Sequence, residues 1–137
     1  MDKRFWISAV VMFVLSLGLG FVVHGLLLGG EYAKLTGLFR QPPEADAYFG
    51  WMLLAHALIA LGFTWIYRKG LEPGKPFLGQ GVRYGIAIAV LMTIPLYLIY
   101  YAVQPMPGGL VAKIVYDVIA VVIMGIVVAW INQPKPA

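Results

Sequence analysis

The sequence predicts an all-α fold: an integral membrane bundle of four transmembrane helices, with both termini on one side and a short amphipathic segment on the other. Three observations predict it. Hydrophobic residues make up 61% of the 137 residues and charged residues only 12%, about half the usual charged fraction of a soluble domain. The apolar residues fall into four runs, each near the roughly 20 residues a helix needs to cross a hydrocarbon core about 30 Å thick. Lysine and arginine collect in alternate connections between those runs. So little polar surface cannot cover a soluble fold, so lipid must solvate much of the chain. Only helices satisfy their own backbone there, and the runs do not alternate with the period of two expected of strands.

The first span runs from about Phe5 to Leu28 and carries no charge. It is too long for the apolar core of a secretory signal, and no small-x-small cleavage site stands out, so it reads as an uncleaved helix. The second runs from about Ala47 to Tyr67, with Asp46 as its expected N-cap. The third runs from about Val82 to Val103, with Arg83 at its mouth and Pro95 inside, where proline is expected to kink it. The fourth runs from about Gly109 to Ile131. Residues 1–137 form one domain, without internal repeat or low complexity. Gly25/Gly29, Gly81/Gly85 and Gly125/Ala129 have the four-residue spacing that lets membrane helices approach closely.

Orientation follows from the basic residues. Lys3, Arg4, Arg68, Lys69, Lys75, Arg83 and Lys135 fall on one side, and only Lys34 and Arg40 on the other, beside Glu31, Glu44 and Asp46. For a bacterial-type membrane, the positive-inside rule places both termini and the 68–81 loop in the cytoplasm. The net charge of +4 is then explained by topology and anionic headgroups, not by nucleic acid. Absence of cysteine excludes disulfides, thiolate metal sites and thiol redox chemistry. In the outer connection, Tyr32, Leu35, Leu38 and Phe39 would share one face of a short interfacial helix that Gln41-Pro-Pro43 ends. The 70–76 and 104–109 stretches read as tight turns, making the third and fourth helices an antiparallel hairpin. Trp6, Trp51, Trp65, Trp130 and Tyr67 fall near span ends, as an interfacial belt does.

The polar residues inside the spans meet at one level. His24 lies about one turn below the outer surface and His56 about two; Lys113 is about one turn deep and Asp117 about two. Tyr97, Tyr100 and Tyr101 end the third helix at the same level. Lys113 and Asp117 are i,i+4 neighbours on one helix face. In a structural reading Lys113 snorkels to the headgroups while Asp117 is hydrogen-bonded or protonated between helices. In a functional reading they line a pocket or a proton path, since ionisable groups at that depth usually face a protein interior or a water-filled cavity. The candidate ligand or proton-path residues are therefore Asp117, Lys113, His56, His24, Tyr97 and Tyr101. His24 and His56 could also ligate a haem b axially, or join Asp117 around a metal, or simply hydrogen-bond between helices. Ser8 and Ser16 are placed near the inner side, far from the histidines, which leaves no serine-histidine-acid set.

Four stretches carry a resemblance: Phe77-Leu-Gly-Gln-Gly-Val-Arg-Tyr-Gly85, Ile94-Pro-Leu-Tyr-Leu-Ile-Tyr-Tyr101, Val111-Ala-Lys-Ile-Val-Tyr-Asp117 and Gly125-Ile-Val-Val-Ala129. Together with His24-Gly-Leu-Leu-Leu-Gly-Gly-Glu-Tyr32, they make the chain similar to uncharacterised small bacterial four-helix inner-membrane proteins, a domain of unknown function. The resemblance implies an inner-membrane location and carries no activity with it. The expected function is that of a small non-enzymatic membrane protein or an accessory subunit of a membrane complex. The alternatives are a bis-histidine haem or metal electron carrier and a small-molecule or proton pathway. The expected partners are the lipid bilayer and another membrane protein or a second copy of the chain.

Overall fold

The computed structural model describes residues 2–106, 109 and 112–133. Among them the fold is all-helical, and four helices are long and apolar enough to cross a membrane: α1 (Lys3–Leu27), α3 (Glu44–Lys69), α4 (Phe77–Val103) and α5 (Ala112–Ile131). The short α2 (Gly29–Ala33) lies in the connection between α1 and α3. Outward-facing side chains are overwhelmingly apolar. Val10, Val14, Leu26, Trp51, Leu58, Leu91, Val103 and Trp130 are each more than half exposed, the surface a bilayer would cover.

Two helix pairs make up the bundle. Asp2 against Arg68 and Ser16 against His56 fix α1 and α3 antiparallel. The α4–α5 pair is closer. A Cβ added at Gly81 would lie 2.6 Å from the Gly125 carbonyl oxygen and from the Ile126 Cα, and one at Gly85 would lie 2.6 Å from the Val122 Cα. Backbone therefore touches backbone, and glycine is required by space. The expected Gly81/Gly85 and Gly125/Ala129 contacts are present, with Ala129 fully buried. The Gly25/Gly29 contact is not: a Cβ at Gly25 would meet only the Phe21 ring of its own helix. Between the pairs sits a core of Met12, Ala60, Phe63, Tyr67, Met124, Val128 and Ala129.

The end that carries both termini is closed by polar contacts. Arg68 donates to both Asp2 carboxylate oxygens at 2.7 and 2.6 Å, and Asp2 in turn accepts from the Phe5 N–H at 2.9 Å, capping α1. Arg4 donates to the Gln133 carbonyl at 2.6 Å, and Asn132 donates to Ser8 Oγ at 2.8 Å. Buried Gln80 accepts from the Glu72 N–H and donates to the Lys75 carbonyl, while Lys75 and Arg83 pair with Glu72. That contact explains why α4 starts at Phe77 and not at Val82. Gln80 and Arg83 break the apolar run, but both are satisfied by the preceding turn, so the helix begins directly after Pro76.

Two other expectations are corrected at the opposite end. Asp46 does not cap α3; it lies within a 3-10 turn, Glu44–Tyr48, that opens that helix, and its carbonyl accepts the Phe49 N–H. The outer amphipathic segment is not one helix. It is α2 followed by turns, with Leu35 N–H donating to Tyr32 O and Phe39 N–H to Leu35 O, each at 3.0 Å. Tyr32, Leu35, Leu38 and Phe39 do share the half-buried side, but they face the bundle instead of a headgroup layer. Pro95 follows a π-helical stretch, Ala89–Thr93, whose wider turn absorbs its missing N–H. A second π-helical stretch, Phe21–Leu27, ends α1. The start of the fourth span, placed at Gly109, falls partly on residues 110 and 111, outside the described residues.

The glycine contact and the Asp2 clasp each have a measurable consequence. Gly81→Ala forces backbone apart and is expected to cost about 1–3 kcal/mol. Gly62→Ala, with nothing within 4 Å of the added Cβ, is expected to be neutral. Reversible unfolding in mixed micelles reads both, and equal stability of the two variants would contradict the close approach. The clasp responds to acid. The Arg68 hydrogen bonds, then the Phe5 N–H, hold the Asp2 carboxyl well below the usual carboxylate range. A depressed folded-state value means the clasp contributes above the unfolded value, near pH 4, and is lost as pH falls through the folded one. Amide exchange at residues 4–8 is expected to accelerate on acidification below about pH 4, and Asp2→Asn to remove that pH dependence.

Candidate functional site

The site lies at the end of the bundle away from the termini, where α1, α2, α4 and α5 converge. α1 delivers His24 from inside its π-helical final turns, and a bend at Leu28 separates those turns from α2. That bend brings Tyr32 to the histidine: Tyr32 Oη and His24 Nδ1 are 3.0 Å apart. On its other side His24 Nε2 lies 3.3 Å from Asp117 Oδ1 of α5. Tyr97 of α4 donates its hydroxyl to Asp117 Oδ2. Four side chains from four helices thus form one hydrogen-bonded chain.

Donor and acceptor roles follow from chemistry. His24 and Tyr97, both able to donate, flank Asp117, so the carboxylate accepts on both oxygens. His24 then carries its proton on Nε2, leaving Nδ1 to accept from the Tyr32 hydroxyl. Burial pushes the Tyr32 phenol up, and the Asp117 charge pushes it further, so Tyr32 stays protonated and donates.

Lys113 stands beside this chain without joining it. Its Nζ lies 4.8 Å from the Tyr32 ring centroid and 4.6 Å from the Tyr97 centroid. Lys113 is only 8% exposed. Two aromatic rings within cation–π range stand beside the ammonium where it meets the cavity. Among the described residues, no carboxylate lies within ion-pair distance of Nζ. Lys113 faces a cavity of about 360 Å³, lined also by His24, Tyr32, Phe39, Arg40, Gln41 and Tyr97. That is within the size range of small-molecule sites, roughly 300–1,000 Å³. Arg40 stands at the rim, stacked 3.8 Å over the Tyr48 ring with its Nε donating to Glu44 at 3.0 Å.

Of the six residues singled out in the sequence, four are brought together: His24, Tyr97, Lys113 and Asp117. His56 is not among them. Its Nδ1 lies 3.0 Å from Ser16 Oγ, and Ser16 donates to the Phe13 carbonyl, so His56 donates to Ser16. Ser16 is thus a direct partner of a histidine, not remote from both, because α1 and α3 run antiparallel and place mid-helix residues side by side. His56 packs against Gly20, one turn of α1 short of His24; a Cβ there would be 3.4 Å from its Cε1. Tyr101, one turn past Tyr97, points outward and is 55% exposed. A bis-histidine haem needs a free ring nitrogen on each histidine, whereas both His24 nitrogens are engaged by Tyr32 and Asp117. Among the described residues no three His, Cys, Asp or Glu side chains converge as a metal site would require.

Tyr32 is the functional-end residue that sequence reasoning placed elsewhere. No local sequence signal marks it, because the bend lies at Leu28 and Gly29 and Gly30 are helical, without positive φ. No protein-family model, curated protein or solved structure matches the chain.

The His24–Asp117 contact can be tested by a double-mutant cycle. His24→Phe and Asp117→Asn, singly and together, are expected to show a coupling of about 1–2 kcal/mol in micelle unfolding, within the range for contacting polar groups. Additive effects would show that the two side chains act independently.

Proposed function

We propose that this protein is a non-enzymatic, membrane-embedded binding module that takes a small polar molecule into the cavity at the end opposite its termini. The observation that carries this reading is Lys113. Its side chain, in the first turn of an apolar helix, is almost wholly covered, has no carboxylate within ion-pair distance among the described residues, and faces an open cavity. Stranding a charge at that depth is costly for any structural purpose, since a leucine or methionine would fill the same space more stably. Hydrogen bonding of Asp117 to His24 and Tyr97 supports the same reading, because it engages both oxygens of the one nearby acid.

The location proposed with it is a bacterial inner membrane with cytoplasmic termini. It is supported by the concentration of Lys3, Arg4, Arg68, Lys69, Lys75 and Arg83 at the terminal end and by the resemblance described above. The cavity would then open outward, toward the source of its ligand.

A chain without cysteine permits a direct test. Ala33→Cys at the cavity and Lys75→Cys in the opposite loop are exposed to a membrane-impermeant maleimide in intact cells. Labelling of the Ala33→Cys variant alone is expected, with the Lys75→Cys variant reacting only after permeabilisation. The reverse pattern would overturn the orientation. An Ala33→Cys variant inert from both sides would overturn an open cavity.

A further inference from the structure

We infer that the ligand of this cavity carries an anionic carboxylate or phosphate group, seated on the Lys113 ammonium between the Tyr32 and Tyr97 rings. The inference rests on the binding-module reading and adds the charge class of what is bound.

The lining is electrostatically one-sided. Among the described residues it contains two basic side chains, Lys113 at the floor and Arg40 at the rim, and no carboxylate. The acids near it are all engaged elsewhere. Asp117 accepts from His24 and Tyr97. Glu44 accepts from Arg40, and Glu31 from Lys34 at 2.8 Å. Lys113 is the exception among the buried polar groups of this end: 8% exposed, aimed into the cavity, and without hydrogen-bond partner among the described residues. It also stands in the first turn of α5, where the helix dipole favours negative charge and where a lysine is the less favourable choice for the helix itself.

Ligand charge follows from those facts. A cation would meet Lys113 with no carboxylate in the described lining to receive it, and at the rim Arg40, whose guanidinium is already paired with Glu44. A neutral molecule would leave the ammonium stripped of water and unpaired. An anion supplies the missing partner in a medium of low dielectric, where a close pair attracts several times more strongly than in water. Ring faces on both sides of Nζ leave the cavity as its open direction, so one anionic group fits per site. Gln41 at the lining offers an amide N–H₂ toward the remainder of the ligand, although its Nε2 now donates to the Phe39 carbonyl at 3.0 Å. The anion could arrive as a water-soluble carboxylate or phosphate, or as the phosphate of a lipid headgroup at the membrane boundary.

The test uses the full chain in a neutral detergent, with inorganic phosphate and acetate as probes against sodium chloride at equal ionic strength. Acetylation of Lys113 by an N-hydroxysuccinimide ester, read by mass spectrometry, is expected to slow about tenfold once roughly nine-tenths of the sites are filled. Thermal unfolding is expected to shift upward with the same probes, with the shift lost in Lys113→Gln and retained in Lys69→Gln. The acetylation readout uses the wild-type chain and so stands even where Lys113→Gln folds poorly. A parallel arm compares nanodiscs of phosphatidylglycerol and of phosphatidylcholine. Protection in phosphatidylglycerol alone, without effect of the free anions, assigns the group to a lipid headgroup; protection by the free anions assigns it to a soluble ligand.

Absence of protection by every anionic probe overturns the inference. If tetramethylammonium or glycerol then shields the Ala33→Cys variant from the maleimide, the binding module survives with a different ligand class. If nothing shields it and it is also unreactive, both readings fall.

Discussion

Close contact between the backbones of α4 and α5 is the constraint on which the rest depends. Gly81, Gly85 and Gly125 remove the side chains that would hold the helices apart. In lipid there is little hydrophobic drive to bring helices together, so packing and interhelical hydrogen bonds must do it. Once the hairpin is this tight at the terminal half, its other half must bring Tyr97 and Asp117 within reach. The register at Gly85 and Val122, carried on unchanged, would set Asp117 opposite Val90 and leave Tyr97 about two turns higher. Two features close that gap. Helical side chains lean toward the N-terminus of their own helix, so on antiparallel helices Tyr97 leans down and Asp117 leans up. The π-helical stretch Ala89–Thr93 then resets the face that α4 presents just before Pro95.

The acid and the base of α5 are separated in function by this geometry. Lys113 and Asp117 are one turn apart on a single face and could be expected to neutralise each other. Instead each finds partners on other helices: Asp117 the imidazole and a phenol, Lys113 two aromatic rings. The carboxylate thereby ties α1 to α4 and α5, which a local ion pair would not do. The ammonium is left facing open space. A chain under selection for stability alone would gain more from closing the pair or from removing it. That contrast gives the site its functional reading.

Much of the architecture is legible in hydropathy and charge, because lipid imposes a length and a charge asymmetry that few sequences meet by accident. Depth along the helices is enough to bring His24, Lys113, Asp117 and Tyr97 to one end of the bundle. Depth fixes only one coordinate, however. It cannot separate Tyr97 from Tyr101, which stand one turn apart with one packed inward and the other exposed. It sets Ser16 far from both histidines because residue number is counted from opposite membrane faces, whereas mid-span residues of antiparallel helices meet near the centre. Tyr32 is legible as part of an amphipathic set, but not the direction that set faces. Water, headgroups and the bundle itself all satisfy the same pattern. Only the bend at Leu28, which hydropathy does not show, decides among them.

The two π-helical stretches of the bundle, Phe21–Leu27 and Ala89–Thr93, both border the site. Each carries one buried residue, Val23 in the first and Ala89 in the second, outside the central cluster around Met12 and Val128. Each widens a helix at or just before a residue that reaches Asp117: His24 lies within the first, and Tyr97 follows the second. A π turn accommodates one residue more than an α turn, so it turns the face presented beyond it by about 100°. At α1 the i→i+5 bond from Leu28 N–H to Val23 O, 2.9 Å long, closes the helix and drives Leu28 inward to 4% exposure. The chain then bends at Leu28 and brings Tyr32 to the imidazole. Irregularity of this kind costs hydrogen-bond quality in a solvent that offers no substitute. It is concentrated where three helices and a returning segment link Tyr32, His24, Asp117 and Tyr97 into one chain beside Lys113.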